Sequence, residues 1–375
     1  MNIYNFIAPC MFGVEGILAD ELRRLGAADV RAENGRVLFR GDDTILARTN
    51  LQSRYAERIT IAIGCFTATT FTELFDQVKN LPFENYISSK DAFPVTGWSL
   101  NSQLHSVPDC QAIIKKAIVE RLKGIYHISW FEESGPEHRI RFSVMKNEVT
   151  IMLETSGFGL HKRGYRKNAN AAPIKETLAA AMCNLAHIYP DTYLLDPFCG
   201  SGTILIEAAL MAKHMAPGLK NAFISERYGF INNAVWQQER AAARDEILEN
   251  IDFRAVGYDI DPAAVALTNA NAKKAGVEKY VEARVADISE FSMPEERALV
   301  ITNPPYGERM MDIAAAERLY QTMGARMPQR SGNKYFIITA DEDFETHFGR
   351  KADKQRKLYN GMLKCNYYMY FKSMR

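Results

Sequence analysis

The four residues Asn303-Pro304-Pro305-Tyr306 have groups suited to one particular reaction. An exocyclic amine of a nucleobase is a weak nucleophile because its lone pair is delocalised into the ring, and acceptors aimed at its two hydrogens help to localise that lone pair. The Asn303 amide oxygen and the Pro304 carbonyl oxygen are two such acceptors, and the Tyr306 ring can stack on a base drawn out of a helix. The alternative is that the prolines merely end a strand, since proline cannot donate to a sheet ladder.

A second group of residues lies where an earlier strand, residues 193–196, is followed by a glycine-rich turn and a helix. In this arrangement, backbone N–H groups and a helix N-terminus approach a ligand closely. The turn lacks the Gly-x-Gly-x-x-Gly and Gly-Lys-Ser/Thr patterns that bind pyrophosphate and triphosphate. It begins with Asp196, whose carboxylate repels phosphate but suits a ligand that carries an ammonium group, as S-adenosylmethionine does. A plain tight turn is the alternative.

Two more strands end in acids, after an insertion predicted at residues 216–250. Asp259 ends the second strand of the unit, where a carboxylate commonly holds a ribose through its hydroxyls. Asp287 ends the third strand and can accept from an adenine amino group, while Ile288 can pack on the ring. Either acid alone is typical of an ordinary surface. Their succession at neighbouring strand ends favours a nucleoside site.

Strands separated by helices form a parallel sheet, and their carboxyl ends meet at one edge where ligands bind. The sequence therefore predicts an α/β domain with one site at this edge. The predicted catalytic residues are Asn303, Pro304 and Tyr306. The predicted cofactor-binding residues are Asp196, Phe198, Gly200, Gly202, Thr203, Asp259, Ile260, Asp287 and Ile288.

Two smaller α+β units are predicted before this domain. Residues 1–64 alternate strand, helix, hairpin, helix and strand, with the hairpin at Asn34-Gly35, a pattern typical of a ferredoxin-like unit. Residues 65–157 contain two helices, a strand and a second hairpin, and this pattern alone indicates little about function. The last strand of the first unit is predicted at residues 56–63.

A basic segment, residues 158–172, begins the last domain. Basic and aromatic side chains among glycines can hold phosphates and stack on a base, although a basic interdomain linker explains the composition equally well. A second basic stretch near residues 350–375 is open to the same two interpretations. The RNA-binding residues predicted in the first segment are Lys162, Arg163, Tyr165, Arg166 and Lys167.

Composition limits the class of protein. The 375 residues are 47% hydrophobic with a net charge of +1, so attraction to nucleic acid must come from local patches. The sequence contains no apolar run near the roughly 20 residues that span a bilayer, and its N-terminus does not resemble a signal peptide. Six scattered cysteines lack metal-ligand spacing, so we expect a cytoplasmic protein with no metal and no membrane partner.

The motifs together resemble those of a known family. Asp196-Pro-Phe-Cys-Gly-Ser-Gly-Thr203, Gly257-Tyr-Asp-Ile-Asp261, Ala286-Asp-Ile288 and Thr302-Asn-Pro-Pro-Tyr306 are similar to the signatures of Rossmann-fold, S-adenosylmethionine-dependent amino-methyltransferases. The basic segment and the helix after it resemble the bacterial group that methylates guanine N2 of large-subunit ribosomal RNA. That resemblance implies a ferredoxin-like domain (1–64), a THUMP RNA-binding domain (65–157) and a methyltransferase domain (158–375) whose seven-stranded sheet has a reversed last strand.

The resemblance also implies an activity. We expect methyl transfer from S-adenosylmethionine to the N2 amine of a guanine in RNA, with 23S ribosomal RNA as the favoured substrate. The best-known ribosomal member carries a second methyltransferase module, whereas this sequence shows one, so a single modification is expected. The alternatives are a tRNA guanine-N2 methyltransferase, a DNA adenine-N6 methyltransferase, a protein glutamine methyltransferase, and a non-catalytic RNA-binding assembly factor.

Overall fold

A computed structural model describes residues 2–166, 174–306, 313–330 and 332–371 of the chain. Two seven-stranded sheets, one in each half of the chain, organise these residues. Helices pack on both sheets, so the predicted α/β character of the chain is confirmed. Among the described residues, we find no helix whose length and apolarity suffice to cross a membrane.

The first sheet begins with the predicted ferredoxin-like unit. Its hairpin turns at Asn34-Gly35, where Gly35 adopts a positive φ of 72° that suits a tight turn. The Asp42 side chain accepts from the Ile45 N–H at 3.1 Å and so begins the second helix. The elements are β1 (Tyr4–Pro9), α1 (Glu15–Arg24), β2 (Ala28–Glu33), β3 (Arg36–Gly41), α2 (Asp43–Gln52) and β4 (Thr60–Thr67).

The second unit extends the same sheet. Its elements are α3 (Phe71–Lys79), β5 (Val95–Leu100), α4 (Val107–Tyr126), β6 (Ile140–Met145) and β7 (Glu148–Glu154). The strand order is β2-β3-β1-β4-β7-β6-β5, because β4 pairs with β1 on one side and with β7 on the other. The two units therefore share one continuous sheet.

The position of β4 differs from the expectation of a strand at residues 56–63. Its ladder with β7 continues to Thr67, which pairs with Glu148. Before Thr60, the chain is held by a side chain instead, since the Ile59 N–H donates to the Ser156 hydroxyl at 2.9 Å. The expected domain limit after residue 64 falls inside this strand and stays a prediction.

The second sheet belongs to the last domain. Its order is β10-β9-β8-β11-β12-β14-β13, and β14 runs against both of its neighbours while the other neighbours pair in parallel. This confirms the expected reversed last strand. The strands are β8 (Tyr193–Asp196), β9 (Arg254–Asp259), β10 (Val281–Val285), β11 (Leu299–Thr302), β12 (Lys334–Thr339), β13 (Lys354–Asn360) and β14 (Leu363–Tyr370). The helices are α5 (Glu176–Ala186), α6 (Thr203–Ala212), α7 (Ala234–Asp245), α8 (Pro262–Ala275), α9 (Ile313–Arg326) and α10 (Phe344–Phe348).

The predicted insertion at residues 216–250 packs against both preceding units. On α7, Glu239 accepts two hydrogen bonds from Arg48 of α2, at 2.7 and 2.8 Å. Before α7, the Tyr228 ring stacks on His138 with 4.2 Å between centroids. The insertion thus fastens the last domain to the rest of the chain, and one hydrophobic core extends through all three units. A second core fills the other face of the second sheet.

Candidate active site

The carboxyl ends of β8, β9, β10 and β11 lie side by side, because these strands are neighbours in the parallel sheet. They open onto a pocket of about 480 Å³. All the predicted catalytic and cofactor-binding residues line this pocket except Gly202. They are Asn303, Pro304, Tyr306, Asp196, Phe198, Gly200, Thr203, Asp259, Ile260, Asp287 and Ile288.

Gly202 shapes the turn without lining the pocket. It precedes the first residue of α6 with a φ of +77°, a conformation that residues with side chains rarely adopt. A Cβ atom here would lie 2.6 Å from Cγ2 of Thr268 on α8. The Thr268 hydroxyl in turn donates to the Gly200 carbonyl at 2.8 Å. The glycine therefore allows α8 to approach the turn closely.

We expect Gly202→Ala to lower the free energy of unfolding by roughly 2–4 kcal/mol, since a positive φ and a steric clash each cost about 1–2 kcal/mol or more. Urea denaturation checks this through a lower midpoint at an unchanged slope. Gly124→Ala is the control, because Gly124 lies in α4, where a Cβ atom would meet no neighbouring group within 4 Å, and the change should be neutral or slightly stabilising. Equal effects of the two substitutions would contradict this account.

Asp259 ties the turn to the end of β9. One carboxylate oxygen accepts from the Gly200 N–H and the other from the Asp261 N–H, each at 3.0 Å. Beside it, Ile260 leaves 68% of its surface exposed although it lines the pocket. An exposed apolar side chain at this position can pack against the face of a ring.

Asp287 lies at the end of the neighbouring strand β10. Its carboxylate accepts from the Ser289 N–H at 2.8 Å, and hydrogen bonds from Ser289 lower its pKa. Asp287 is exposed and stays ionised, whereas Ile288 beside it is buried. The two residues present a charged acceptor next to an apolar wall.

Asp196 is almost fully buried at the base of the pocket. Its Oδ1 accepts from the Thr302 hydroxyl at 2.7 Å and from the Phe198 N–H at 3.1 Å. Burial nevertheless raises the pKa of this carboxyl to about 7, because the hydrogen bonds to its charged form do not fully offset desolvation. Asp196 therefore gains or loses its charge near neutral pH.

The Asn303–Tyr306 loop follows β11 directly. Asn303 Oδ1 is buried and has no hydrogen-bond partner among the described residues. A buried acceptor left without a donor is costly, and native proteins rarely keep one unless a ligand or water satisfies it. The Tyr306 ring is buried, and its hydroxyl accepts from the Asn360 side chain at 2.9 Å. Tyr320 donates to the Pro305 carbonyl at 3.5 Å and braces the loop from α9.

Some lining residues were not singled out from the sequence. Cys199, Ser201 and Asp261 lie inside motifs that were recognised, so their place at the pocket could have been inferred. Leu319 comes from a segment without any motif, and Ile174 comes from a stretch whose resemblance to the family suggested no place at the pocket; the folded chain brings both to it.

The predicted RNA-binding segment requires a correction. Arg163 and Tyr165 are buried, with Arg163 Nε 3.6 Å from Glu207 Oε1 and the Tyr165 hydroxyl donating to the same oxygen at 3.0 Å. Arg166 is also engaged, since it donates to Glu176, to the Thr203 hydroxyl and to a backbone carbonyl. These three residues join segments of the fold and do not form an open phosphate-binding patch.

Lys162 remains exposed, and Lys167 lies outside the described residues. In the C-terminal basic stretch, Arg350 packs over three aromatic rings and Arg356 donates to a backbone carbonyl of the first domain. These two arginines therefore also have structural partners. Because these arginines contact other parts of the fold, the basic composition predicted more exposed positive charge than the structure has.

Three family models match the chain in succession. The RlmL ferredoxin-like domain matches residues 5–60, and the THUMP domain matches residues 68–154. The RMKL-like methyltransferase domain matches residues 163–369, more than half of the chain. The chain belongs to this RMKL-like methyltransferase family. The expected kinds of the three domains, and the expectation of a methyltransferase that uses S-adenosylmethionine, are thereby confirmed.

Relatives of this RMKL-like methyltransferase cover it along almost its whole length. YpsC of Bacillus subtilis (strain 168), named as a proposed RNA methyltransferase, is 40% identical over 100% of this chain and 98% of its own. A Shewanella baltica (strain OS155) protein named ribosomal RNA large subunit methyltransferase K/L is 35% identical over 98% of this chain and 53% of its own. The chain thus spans about half the length of that relative.

Solved structures agree closely with this fold. SMU.472, named as a proposed methyltransferase and solved in complex with SAH, is 40% identical with a TM-score of 0.95, covering 100% of this chain and 99% of its own. A Listeria monocytogenes protein (strain 4b F2365) is named as a predicted N6-adenine-specific DNA methylase. It is 41% identical with a TM-score of 0.92, covering 99% of this chain and 97% of its own. The names of these relatives differ in the nucleic acid they mention.

Proposed function

We propose that this RMKL-like methyltransferase transfers a methyl group from S-adenosylmethionine to the exocyclic N2 amine of a guanine in RNA, with 23S ribosomal RNA as the favoured substrate. The observation that carries the proposal is the unpartnered, buried Oδ1 of Asn303 at the edge of the pocket, which has no donor among the described residues. An amine hydrogen of the target base satisfies this acceptor. The Pro304 carbonyl oxygen is the second acceptor for the same amine.

The pocket residues fit the donor molecule. The open side chain of Ile260 and the buried Ile288 flank a space suited to an adenine ring, with Asp287 as the acceptor for its amino group. Asp259 at the end of β9 is the residue for the ribose hydroxyls. The turn from Asp196 to Gly202 encloses the methionine end. S-adenosylmethionine supplies an electrophilic methyl group on a sulfonium.

The chain's own residues orient the nucleophile. Asn303 and Pro304 would accept from the two amine hydrogens and so direct the nitrogen lone pair toward the cofactor end of the pocket, while the Tyr306 ring would stack on the base. The bound cofactor would supply the methyl group, with an N–C bond formed in place of its S–C bond, and the alkylated nitrogen would then be acidic. Its proton can then leave to solvent or to Asn303, so no strong general base is required before attack.

An RNA substrate is favoured by the domains ahead of the pocket. A THUMP domain precedes the methyltransferase domain, and two relatives are named for RNA or ribosomal RNA methylation. The DNA alternative is supported by the shared Asn303–Tyr306 motif and by the name of the Listeria relative. Within the described part of the 161–166 segment, Lys162 is the exposed cation, so we assign RNA capture mainly to the first two domains.

Cofactor affinity is expected to depend on pH through Asp196. Below its pKa of about 7, Asp196 is neutral and cannot pair with the ammonium group of the ligand. Between pH values of about 5.5 and 7, we therefore expect the affinity for S-adenosylhomocysteine to rise by up to about tenfold per pH unit, levelling off above that range. Isothermal titration calorimetry measures this rise, and Asp196→Asn should bind weakly with a flat profile.

The contribution of Asp196 to the free energy of unfolding changes with pH in the opposite direction to its contribution to ligand affinity. In the folded protein this carboxyl holds its proton more tightly than at its ordinary value of 3.8, so the stability it contributes below pH 3.8 is lost as the pH rises through about 7. Bound ligand should remove this loss. If the affinity of Asp196→Asn for S-adenosylhomocysteine also rose with pH, Asp196 would be excluded as the titrating group.

The direct test uses labelled S-adenosylmethionine with undermodified ribosomal RNA, transfer RNA and DNA, each digested to nucleosides and analysed by mass spectrometry. We expect N2-methylguanosine from ribosomal RNA. N2-methylguanosine from transfer RNA alone would change the substrate, and N6-methyladenine from DNA would favour the rival class. Cofactor binding without transfer to any of them would overturn the substrate assignment but not the fold, whereas failure to bind S-adenosylmethionine would support a non-catalytic RNA-binding factor.

A further inference from the structure

The hydroxyl of Tyr306 has a partner from a distant part of the chain. Asn360 Nδ2 donates to it at 2.9 Å, and Asn360 itself is only 8% exposed. The Tyr306 ring lines the pocket, so this bond fixes the far end of a ring whose near end is set by the backbone. Two fixed ends hold the long axis of the ring in one direction, and burial of the ring limits its rotation about that axis.

Asn360 is itself held in place by the sheet. It is the last residue of β13 and pairs with Leu363 of β14 across a turn in which Gly361 has a φ of +68°. The two strands pair along the whole of β13, from Lys354 to Asn360. The donor to Tyr306 therefore sits on a rigid backbone rather than on a loop.

The first domain supports the same strand. Arg356 of β13 donates through Nε and Nη2 to the Gly13 carbonyl, at 3.1 and 2.7 Å. Gly13 has a φ of +88°, and a Cβ atom there would lie 2.5 Å from the Lys357 carbonyl oxygen. Glu15 holds the loop from the other side by accepting from the Gly13 and Gly35 N–H groups, at 2.8 and 3.0 Å.

We propose that Asn360 is a positioning residue that sets the orientation of the Tyr306 ring, and that the Gly13 loop of the ferredoxin-like domain supports it through β13. This inference rests on the proposed function, in which Tyr306 stacks on the target base. Asn360 does not touch the reacting atoms. It acts through the Tyr306 hydroxyl, so a variant that lacks this hydroxyl makes Asn360 dispensable.

A double-mutant cycle tests this dependence. Asn360→Ala should lower kcat about tenfold on protein-free 23S ribosomal RNA that lacks the modification, because misplaced reactants lose rate steeply. KM for S-adenosylmethionine should stay within about twofold, since the cofactor contacts are untouched. Tyr306→Phe should cost a similar factor, and the double variant should be no slower than either single variant. Additive losses would overturn the inference.

Asn366→Ala is the matched control. Asn366 lies on β14 of the same hairpin and also donates to a tyrosine hydroxyl, that of Tyr368, at 3.4 Å. Tyr368 is buried in the second core and does not line the pocket. The control therefore removes the same kind of bond from the same hairpin and should leave kcat near the wild-type value. An equal loss of kcat in Asn366→Ala would make the effect of Asn360 a general weakening of the hairpin.

A second measurement needs no RNA. In protein labelled with 3-fluorotyrosine, the ¹⁹F resonance of Tyr306 is identified by its absence from the Tyr306→Phe variant. Asn360→Ala should shift or broaden that resonance, whereas Asn366→Ala should leave it unchanged. An unmoved Tyr306 resonance overturns the inference. If the wild-type protein methylates no RNA, the proposed function fails, and the resonance still decides whether Asn360 orients the ring.

Discussion

Replacing Asn303 with alanine should reduce methyl transfer by about 10²–10³-fold, the range seen when one preorganised hydrogen-bonding group is removed from an active site. Its Oδ1 is a buried acceptor with no partner among the described residues, and in the proposed mechanism an amine hydrogen of the target base donates to it. Because this oxygen holds none of the described residues in place, its loss should leave the cofactor end of the pocket intact. Binding of S-adenosylhomocysteine should therefore stay within about threefold of wild type, since ground-state cofactor contacts are unchanged.

Asn333→Ala provides the control for this substitution. Asn333 precedes β12 at the opposite end of the sheet, where its side chain accepts from the Ala298 N–H at 3.2 Å. It should alter stability modestly and leave the turnover per folded molecule unchanged. Single-turnover rates of methyl transfer, measured with saturating cofactor, compare Asn303→Ala with Asn333→Ala and the wild type. Full activity in Asn303→Ala would remove Asn303 from the mechanism, and loss of cofactor binding would show that its role is structural.

Replacing Arg163 with alanine should lower the free energy of unfolding by about 3–5 kcal/mol, because it leaves the buried carboxylate of Glu207 without its cation. The substitution also removes hydrogen bonds from the arginine to the Leu160 and Arg54 carbonyl oxygens, at 2.5 and 2.6 Å. The Arg163 side chain is 2% exposed and that of Glu207 is fully buried. Chemical denaturation followed by tryptophan fluorescence measures the loss.

Lys162→Ala separates this structural role from RNA binding. Lys162 is the exposed neighbour of Arg163, and its loss should change stability by less than about 0.5 kcal/mol, as surface substitutions usually do. It should weaken binding to RNA and reduce the salt dependence of that binding by roughly one phosphate contact. A stable Arg163→Ala variant that binds RNA poorly would restore the interpretation of Arg163 as a phosphate ligand.

The pocket was largely predictable because its chemistry lies in contiguous stretches. Asp196, Asp259, Asp287 and Asn303 each follow a recognisable strand, and parallel strands separated by helices bring their carboxyl ends together. No distant contact has to be known for these four residues to be placed at one edge. The reversed last strand, in contrast, was expected only through the family resemblance.

The open phosphate-binding patch expected in the basic segment was not found among its described residues, because charge composition does not reveal partners that are remote in the chain. Glu207, which neutralises Arg163, lies on α6 and faces inward among apolar neighbours. Asn360 and Tyr306 are likewise 54 positions apart, and no spacing rule connects them. Contacts of this kind depend on how the helices, strands and loops of the last domain pack, and that packing follows from buried surfaces rather than from local patterns.

The strand β4 has a consequence for how the first half of the molecule unfolds. Its residues Thr60 and Ile61 pair with β1, and Thr60–Thr67 pair with β7, so opening either the ferredoxin-like or the THUMP domain leaves the other with an unpaired strand edge. We therefore expect the two domains to unfold as one cooperative unit, with amide protons on β1 and β7 exchanging through a common opening event. Two separate family models match these residues, whereas we expect the residues to unfold as one unit.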